Sequence, residues 1–287
     1  MCKDDTINLI SGVIKIMRIK SGRSYDFLAI WALTYTVLLY NVFHLSVLLY
    51  FVALLLSIRL AFVVNNIYDI TEDMLHPLGQ TKNPLVENHK LRKVAYAMTI
   101  FLAGMGILCV LYSLNIIAFL IYTLQLLLSI IYSAPPRLKN IVLLDMISHG
   151  FYFGALIPLT IFALWFNSIT LTQILILLGI FFFSCAFQLS NQARDFQYDL
   201  KAKLNTTAIL LGYDQTIKVI RSFTIIGIWL LAVSLYSINS SLILLIIAES
   251  IIISTVVISI NEKGITSSIL SIILSLYLTE ILLFITV

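Results

Sequence analysis

Charge is scarce in this chain: Asp, Glu, Lys and Arg make up only 11% of its 287 residues. A soluble fold of that size cannot cover its surface with so few ionised groups, so the soluble globular classes drop out. Cysteine is rarer still. Cys2, Cys109 and Cys185 are scattered, and two of them lie inside apolar runs. Such a distribution provides neither metal-ligand spacing nor a disulfide framework. Glycine-rich phosphate-loop patterns are missing, which removes the usual sign of a nucleotide site. Nothing points to nucleic acid, because the net charge of +4 is small and its placement matters more than its size. The first 26 residues are mixed and partly charged, without a short apolar core before a small-residue cleavage site, so no cleavable signal peptide is expected.

Hydrophobic residues form 60% of the chain, with a mean hydropathy of +1.02. Apolar runs of about 20 residues recur along it, each long enough to cross a bilayer core. The expectation is an all-α polytopic membrane protein, one domain over residues 1–287. Spanning helices are expected near 27–43, 45–64, 91–112, 114–132, 145–166, 170–190, 217–236, 240–260 and 265–287, nine in all. Only the short turn "YSLN" divides the third from the fourth.

The 18 Lys and Arg residues fall in the N-terminal segment and in every second connection thereafter, and the alternate connections have none. Positive loops stay in the cytoplasm. The N-terminus is therefore expected inside and the C-terminus outside, in a multi-pass protein of the cell membrane. Except for Glu249 and Glu280, the acidic residues share the basic side.

Among those acids is a repeat. "NNIYDITED" (65–73) and "NQARDFQYD" (191–199) both read Asn-x3-Asp-x3-Asp: Asn65, Asp69, Asp73 and Asn191, Asp195, Asp199. Nine aspartates placed at random would give well under one pair four residues apart, and this chain has two. Side chains at i, i+4 and i+8 step only about 40° around a helix, so each triplet lines one face. Gln188 and Ser184 extend the second face. Four spans lie between the triplets, so both emerge on one side as a parallel internal repeat. Two such faces can converge on a central cavity open to the cytoplasm and to lipid. Unpaired, the carboxylates would repel each other and resist burial. Hard oxygens in this number suit Mg²⁺, which binds one or two carboxylates and completes its shell with water and substrate phosphate. One triplet alone reads equally well as a solvated helix end; the matched pair does not.

At this point the residues resemble the UbiA superfamily of intramembrane prenyltransferases, over nearly the whole chain. "NNIYDITED" is similar to that family's first Asp-rich motif and "NQARDFQYDLKAKLNTTAILLG" to its second. "YSAPPRLKN" (132–140) resembles its stretch after the fourth helix. There are departures. Many members have Asn-Asp where this chain has Asn65-Asn66. Many have Asn-Arg-Pro-Leu where this chain has "KNPL" (82–85), so that Lys82 is the charge nearby. Many have Gly where this chain has Lys203, and an Arg-Pro that "IMRIKSGRSYD" does not contain.

The resemblance implies a nine-helix fold and a mechanism. A polyprenyl diphosphate such as geranylgeranyl diphosphate sits between two Mg²⁺ ions held by Asn65, Asp69, Asp73, Asn191, Asp195 and Asp199. Asp69, Asp73, Asp195 and Asp199 are the catalytic carboxylates. Asn65, Asn191, Arg59, Lys82, Arg137 and Lys139 face the diphosphate. Loss of diphosphate gives an allylic cation, which ring faces such as Tyr68 and Tyr132 can stabilise. A lipophilic acceptor then attacks: an aromatic quinone precursor, an ether lipid or another isoprenoid acceptor. Membrane lipids surround the reaction. Arg18 and Arg23 are further candidates for the diphosphate, whereas Lys3 and Lys15 suit an anchor for anionic headgroups. Asp145 reads first as a helix-N-terminal acid, His149 as a packed histidine, and Glu249 as a helix-packing group. The rival reading is a multispan cation transporter using the acidic helix faces.

Overall fold

The computed structural model describes all residues except 1–2, 21, 41–43, 76, 89, 165–167, 239–242 and 266–287. The described residues are helical, with no strand among them. Helix α1 is Lys3–Ile16, α2 Arg23–Tyr40 and α3 Leu45–Tyr68. Two short helices follow, α4 (Ile70–Leu75) and α5 (Pro77–Lys82), and then α6 (Leu91–Leu111) and α7 (Ile116–Ser133). Helix α8 (Leu144–His149), a π turn (Gly150–Ala155) and α9 (Leu156–Phe162) form one rod. The remainder is α10 (Leu171–Lys201), α11 (Thr207–Leu211), α12 (Tyr213–Ile238) and α13 (Ile243–Ser259).

Six of these segments are long and apolar enough to cross a bilayer: Leu45–Tyr68, Leu91–Leu111, Ile116–Ser133, the Leu144–Phe162 rod, Leu171–Lys201 and Tyr213–Tyr236. The chain is thus a multi-pass membrane protein. Of the nine expected spans, 27–43 and 240–260 fall on α2 and α13, whose apolar stretches Tyr25–Thr34 and Ile246–Ser259 are shorter. The expected span 265–287 lies largely outside the described residues. "YSLN" does divide α6 from α7, because the Asn115 side chain accepts from the Ala118 N–H at 3.0 Å and caps α7.

Helix α3 is apolar around most of its circumference and is buried accordingly, whereas α6 turns residues such as Ile100 and Leu108 outward. Apolar packing alone registers helices poorly in lipid, so polar pairs matter. Between α3 and α7, Gln125 Nε2 donates to Ser57 Oγ at 2.9 Å and Tyr122 Oη to the Ala53 carbonyl at 3.0 Å. Helices α10 and α12 meet at Gly179 and Gly227, where a methyl group on either would come within 3.3 Å of the other's carbonyl oxygen.

Candidate active site

A cavity of about 510 Å³ opens where α3, α7 and α10 end, walled also by the start of α2 and by the α8–π segment. All six residues of the two triplets line it: Asn65, Asp69, Asp73, Asn191, Asp195 and Asp199. The triplets differ in build. The second lies on continuous α10, as its spacing requires. The first does not lie on one helix. Helix α3 stops at Tyr68, Asp69 has φ −101° and ψ 12°, and α4 begins at Ile70. The Asp69 N–H still donates to the Asn65 carbonyl (2.9 Å) and the Asp73 N–H to the Asp69 carbonyl (2.8 Å). One-turn spacing therefore survives the change of axis, and all three side chains stay on the cavity.

Asn83 accounts for the break. It is fully buried, and its Nδ2 donates both to the Asn66 carbonyl and to Asp73 Oδ2, each at 2.8 Å. Its Oδ1 accepts from the Leu85 N–H at 3.0 Å. One amide thus satisfies a carbonyl at the open end of α3 and orients a carboxylate of α4. Burial pushes the Asp73 carboxyl above its ordinary range. The Asn83 hydrogen bond opposes this shift, and the Asp69 charge adds to it. In "KNPL", Lys82 lines the cavity and is exposed, whereas Asn83 makes the structural connection.

The basic residues divide. Lys139 pairs with Asp69, and Arg137 Nη2 donates to Asp69 Oδ1 at 3.2 Å and Glu72 Oε1 at 2.9 Å. Lys139 lines the cavity; Arg137 reaches the same carboxylate from beside it. Arg18, also on the wall, gives Asn66 Oδ1 two hydrogen bonds, at 3.2 and 2.8 Å. It follows α1 in a helix-ending turn: the Ile19 N–H reaches the Ile14 carbonyl, the Arg18 N–H reaches that of Lys15, and Arg18 has φ +49°. Arg59, expected at the diphosphate, is not on the wall. It pairs with Asp26 of α2 and donates to the Met17 and Arg18 carbonyls at 3.3 and 3.4 Å, so it holds the N-terminal segment against α3. Tyr68, expected to face a cation, is exposed and off the wall, being about 100° around the helix from Asp69.

Tyr132 does line the cavity, within a larger aromatic wall that spacing arguments missed: Tyr25, Phe62, Tyr152 and Phe153. Ring centroids lie 5.1 Å apart for Tyr25–Phe62, 4.8 Å for Tyr25–Phe153 and 5.2 Å for Tyr132–Tyr152. The string "HGFYFG" held the available signal. Asp145 is more than a helix-N-terminal acid. Fully buried, it accepts from the Met146 N–H (2.7 Å), Gln192 Nε2 (2.7 Å), the Thr207 N–H (2.6 Å) and the Thr207 hydroxyl. The carboxylate joins α8, α10 and α11 behind the second triplet.

Among the described residues, no three His, Cys, Asp or Glu side chains lie close enough to share one metal ion. Carboxylates available in ones and twos, with amide oxygens beside them, still fit Mg²⁺, which takes few protein ligands and fills its shell with water and phosphate oxygen. The model of the UbiA prenyltransferase family matches residues 27–263. The chain belongs to that family. A UbiA homologue from Archaeoglobus fulgidus bound to GPP and Mg²⁺ superposes with a TM-score of 0.73 at 20% identity, covering 96% of this chain and 100% of that one. A structure of digeranylgeranylglyceryl phosphate synthase gives 0.69 at 16% identity, covering 97% and 98%. The UbiA homologue from Aeropyrum pernix K1 gives 0.62 at 18% identity, covering 94% of each chain. At these identities the likeness is one of fold. No curated protein matches the sequence.

One departure from the UbiA pattern has a physical reading. At the end of α10 the Leu204 N–H reaches the Asp199 carbonyl (3.0 Å) and the Lys203 N–H that of Leu200 (3.2 Å). Lys203 has φ +55°, the left-handed position of this helix-ending turn, where glycine is the favoured residue.

Proposed function

We propose that this UbiA-family chain is a divalent-metal-dependent intramembrane prenyltransferase that moves a polyprenyl group from its diphosphate to a lipophilic acceptor. One observation carries the reading: both Asn/Asp triplets, Arg18, Lys82 and Lys139 line one cavity whose inner wall is aromatic. Asn65, Asp69, Asp73, Asn191, Asp195 and Asp199 would hold Mg²⁺, two ions by this reading. Mg²⁺ bound there would neutralise charge on the leaving diphosphate. Arg137 and Lys139, now on Asp69, and Arg18 and Lys82 at the wall supply further positive charge to the same oxygens. Tyr132, Tyr25 and Tyr152 present ring faces to the allylic carbon. The packed helices exclude water, which would otherwise quench the cation. Mg²⁺-bound UbiA homologues with GPP and DMAPP support the donor class. The side of the chain that gathers the basic residues supports a cavity open to the cytoplasm, with the N-terminus inside.

The test incubates purified protein in lipid with radiolabelled geranylgeranyl diphosphate and a lipid extract of native membranes. Metal-dependent release of diphosphate, with label entering a lipid, is the expected result. Ion flux in proteoliposomes without either event would overturn the reading in favour of a transporter.

A further inference from the structure

The segment before residue 27 lies outside the stretch that the family model matches, yet it supplies a cation to the cavity wall, Arg18. Three sets of contacts hold this segment against α3. Arg59 donates to the Met17 and Arg18 carbonyls. The guanidinium groups of Arg18 and Arg59 both lie over the Phe62 ring, 5.4 and 5.7 Å from its centroid. A methyl group on Gly22 would come 2.5 Å from the same ring, so the chain crosses it as closely as glycine allows. The third contact is Asn66, and it bears on charge as well as on position.

Asn66 follows Asn65 in the chain but is fully buried and is not on the cavity wall. Its Nδ2 donates at 2.8 Å to the carbonyl of Ile16, the last residue of α1. Its Oδ1 accepts from Arg18 Nε at 3.2 Å and from Arg18 Nη2 at 2.8 Å. A guanidinium only donates and a carbonyl only accepts, so these partners leave one orientation of the amide. A carboxylate at residue 66 could not do the same. It has no proton for the Ile16 carbonyl, and it would pair with Arg18 and cancel its charge. The step from the usual Asn-Asp to Asn65-Asn66 therefore changes what Arg18 can offer. Lys139 pairs with Asp69, and Arg137 pairs with Asp69 and Glu72. Among the described residues, no carboxylate lies within ion-pair distance of Arg18.

Resting on the prenyltransferase reading, we infer that Asn66 is a positioning residue for the donor: its neutral amide fixes Arg18 at the cavity and leaves the guanidinium charge whole for the diphosphate. A guanidinium has five N–H donors. Among the described residues Asn66 takes two of them, which leaves three for phosphate oxygens. A fork of donors with undiminished charge suits a diphosphate better than one already neutralised. The segment that follows α1 is thus part of the donor site as well as a membrane anchor.

The test uses the full chain in lipid and two readouts: calorimetric binding of inorganic pyrophosphate with Mg²⁺, and transfer from labelled geranylgeranyl diphosphate into native lipid extract. Asn66→Asp and Arg18→Met should each weaken pyrophosphate binding about tenfold or more, as expected for losing a hydrogen-bonded charge. Donor KM should rise with kcat changed less, since the charge meets the diphosphate before bond breaking as well as during it. Arg18→Lys should keep more affinity than Arg18→Met. The double variant should bind no more weakly than Arg18→Met alone, because Asn66→Asp acts through the guanidinium. Losses that add would assign Asn66 a purely structural role and overturn the inference, as would parental affinity in Asn66→Asp. Should Asn66→Asp fail to fold, the Arg18 variants decide, and parental affinity in Arg18→Met overturns the inference while transfer by the parent protein upholds the prenyltransferase reading. A parent protein that binds pyrophosphate but transfers no prenyl group would overturn that reading, and the inference with it.

Discussion

Asp145 offers the sharpest link between the hydrogen-bond pattern and a measurement. Its carboxylate is fully buried and accepts four hydrogen bonds, from Met146, Gln192 and twice from Thr207. Asp145→Ala strands the Gln192 amide and the Thr207 N–H in a site that no longer has an acceptor. Each stranded buried donor costs roughly 1–3 kcal/mol, so the variant should be less stable by about 3–5 kcal/mol. For a chain of this size 1 kcal/mol moves Tm by about 2–4 °C, which predicts a fall of roughly 6–20 °C in a detergent melt. Asp145→Asn keeps the shape and one acceptor but turns an amide N–H₂ toward donors, so it should lose about half as much. Gln192 also accepts from the Ala208 N–H at 3.1 Å, so a double-mutant cycle of Asp145→Ala with Gln192→Ala should show coupling of about 1 kcal/mol or more. A melt of Asp145→Ala within about 2 °C of the parent would show that the carboxylate is a solvated helix-end acid after all.

Asp69→Ala and Asp195→Ala should each slow single-turnover transfer by at least about a hundredfold, roughly 3 kcal/mol of transition-state stabilisation, and the double variant should be little worse because the two faces act as one unit. Near-parental turnover by Asp195→Ala alone would reduce the second triplet to a helix end. Lys203→Gly should raise the melting temperature, since the left-handed φ of +55° disfavours a side chain by about 1–2 kcal/mol and glycine's extra unfolded-state entropy takes back only part of that; transfer rates should not change. Reporter fusions at residue 80, 138 or 205 should read cytoplasmic and one at 113 external, and the reverse would invert the proposed orientation.

The features legible in the sequence were local ones. Helical spacing relates residues one or two turns apart, and it correctly grouped Asn191, Asp195 and Asp199 on one face of α10. The same logic grouped Asn65, Asp69 and Asp73 but could not show that the helix axis breaks between them. That break depends on Asn83, ten residues beyond Asp73 and in another segment. Arg59 was misplaced for the same reason. It is largely buried on α3, but its charge is taken by Asp26, 33 residues earlier on a neighbouring helix. A lone arginine facing a bundle interior seeks the nearest carboxylate, and periodicity says nothing of which helix supplies it.

His149 shows how far that limit reaches. As a single residue it is a packed histidine, which was the first reading of it and is true of its ring. What holds it is Ser184, 35 residues away on α10, whose hydroxyl lies 2.9 Å from both Nδ1 and the carbonyl oxygen of His149. The hold on the ring follows from that contact and not from the imidazole's neighbours in sequence. Ser184 was noted only as a backward extension of the second acidic face. In the structure it couples that helix to the aromatic lobe, so that α10 serves the cavity twice: its last turns present carboxylates to it, and a turn about two helical repeats earlier holds the imidazole in its wall. A substitution at Ser184 should accordingly loosen the imidazole while leaving the Asp triplet in place, because the triplet lies two to four turns further along the same helix.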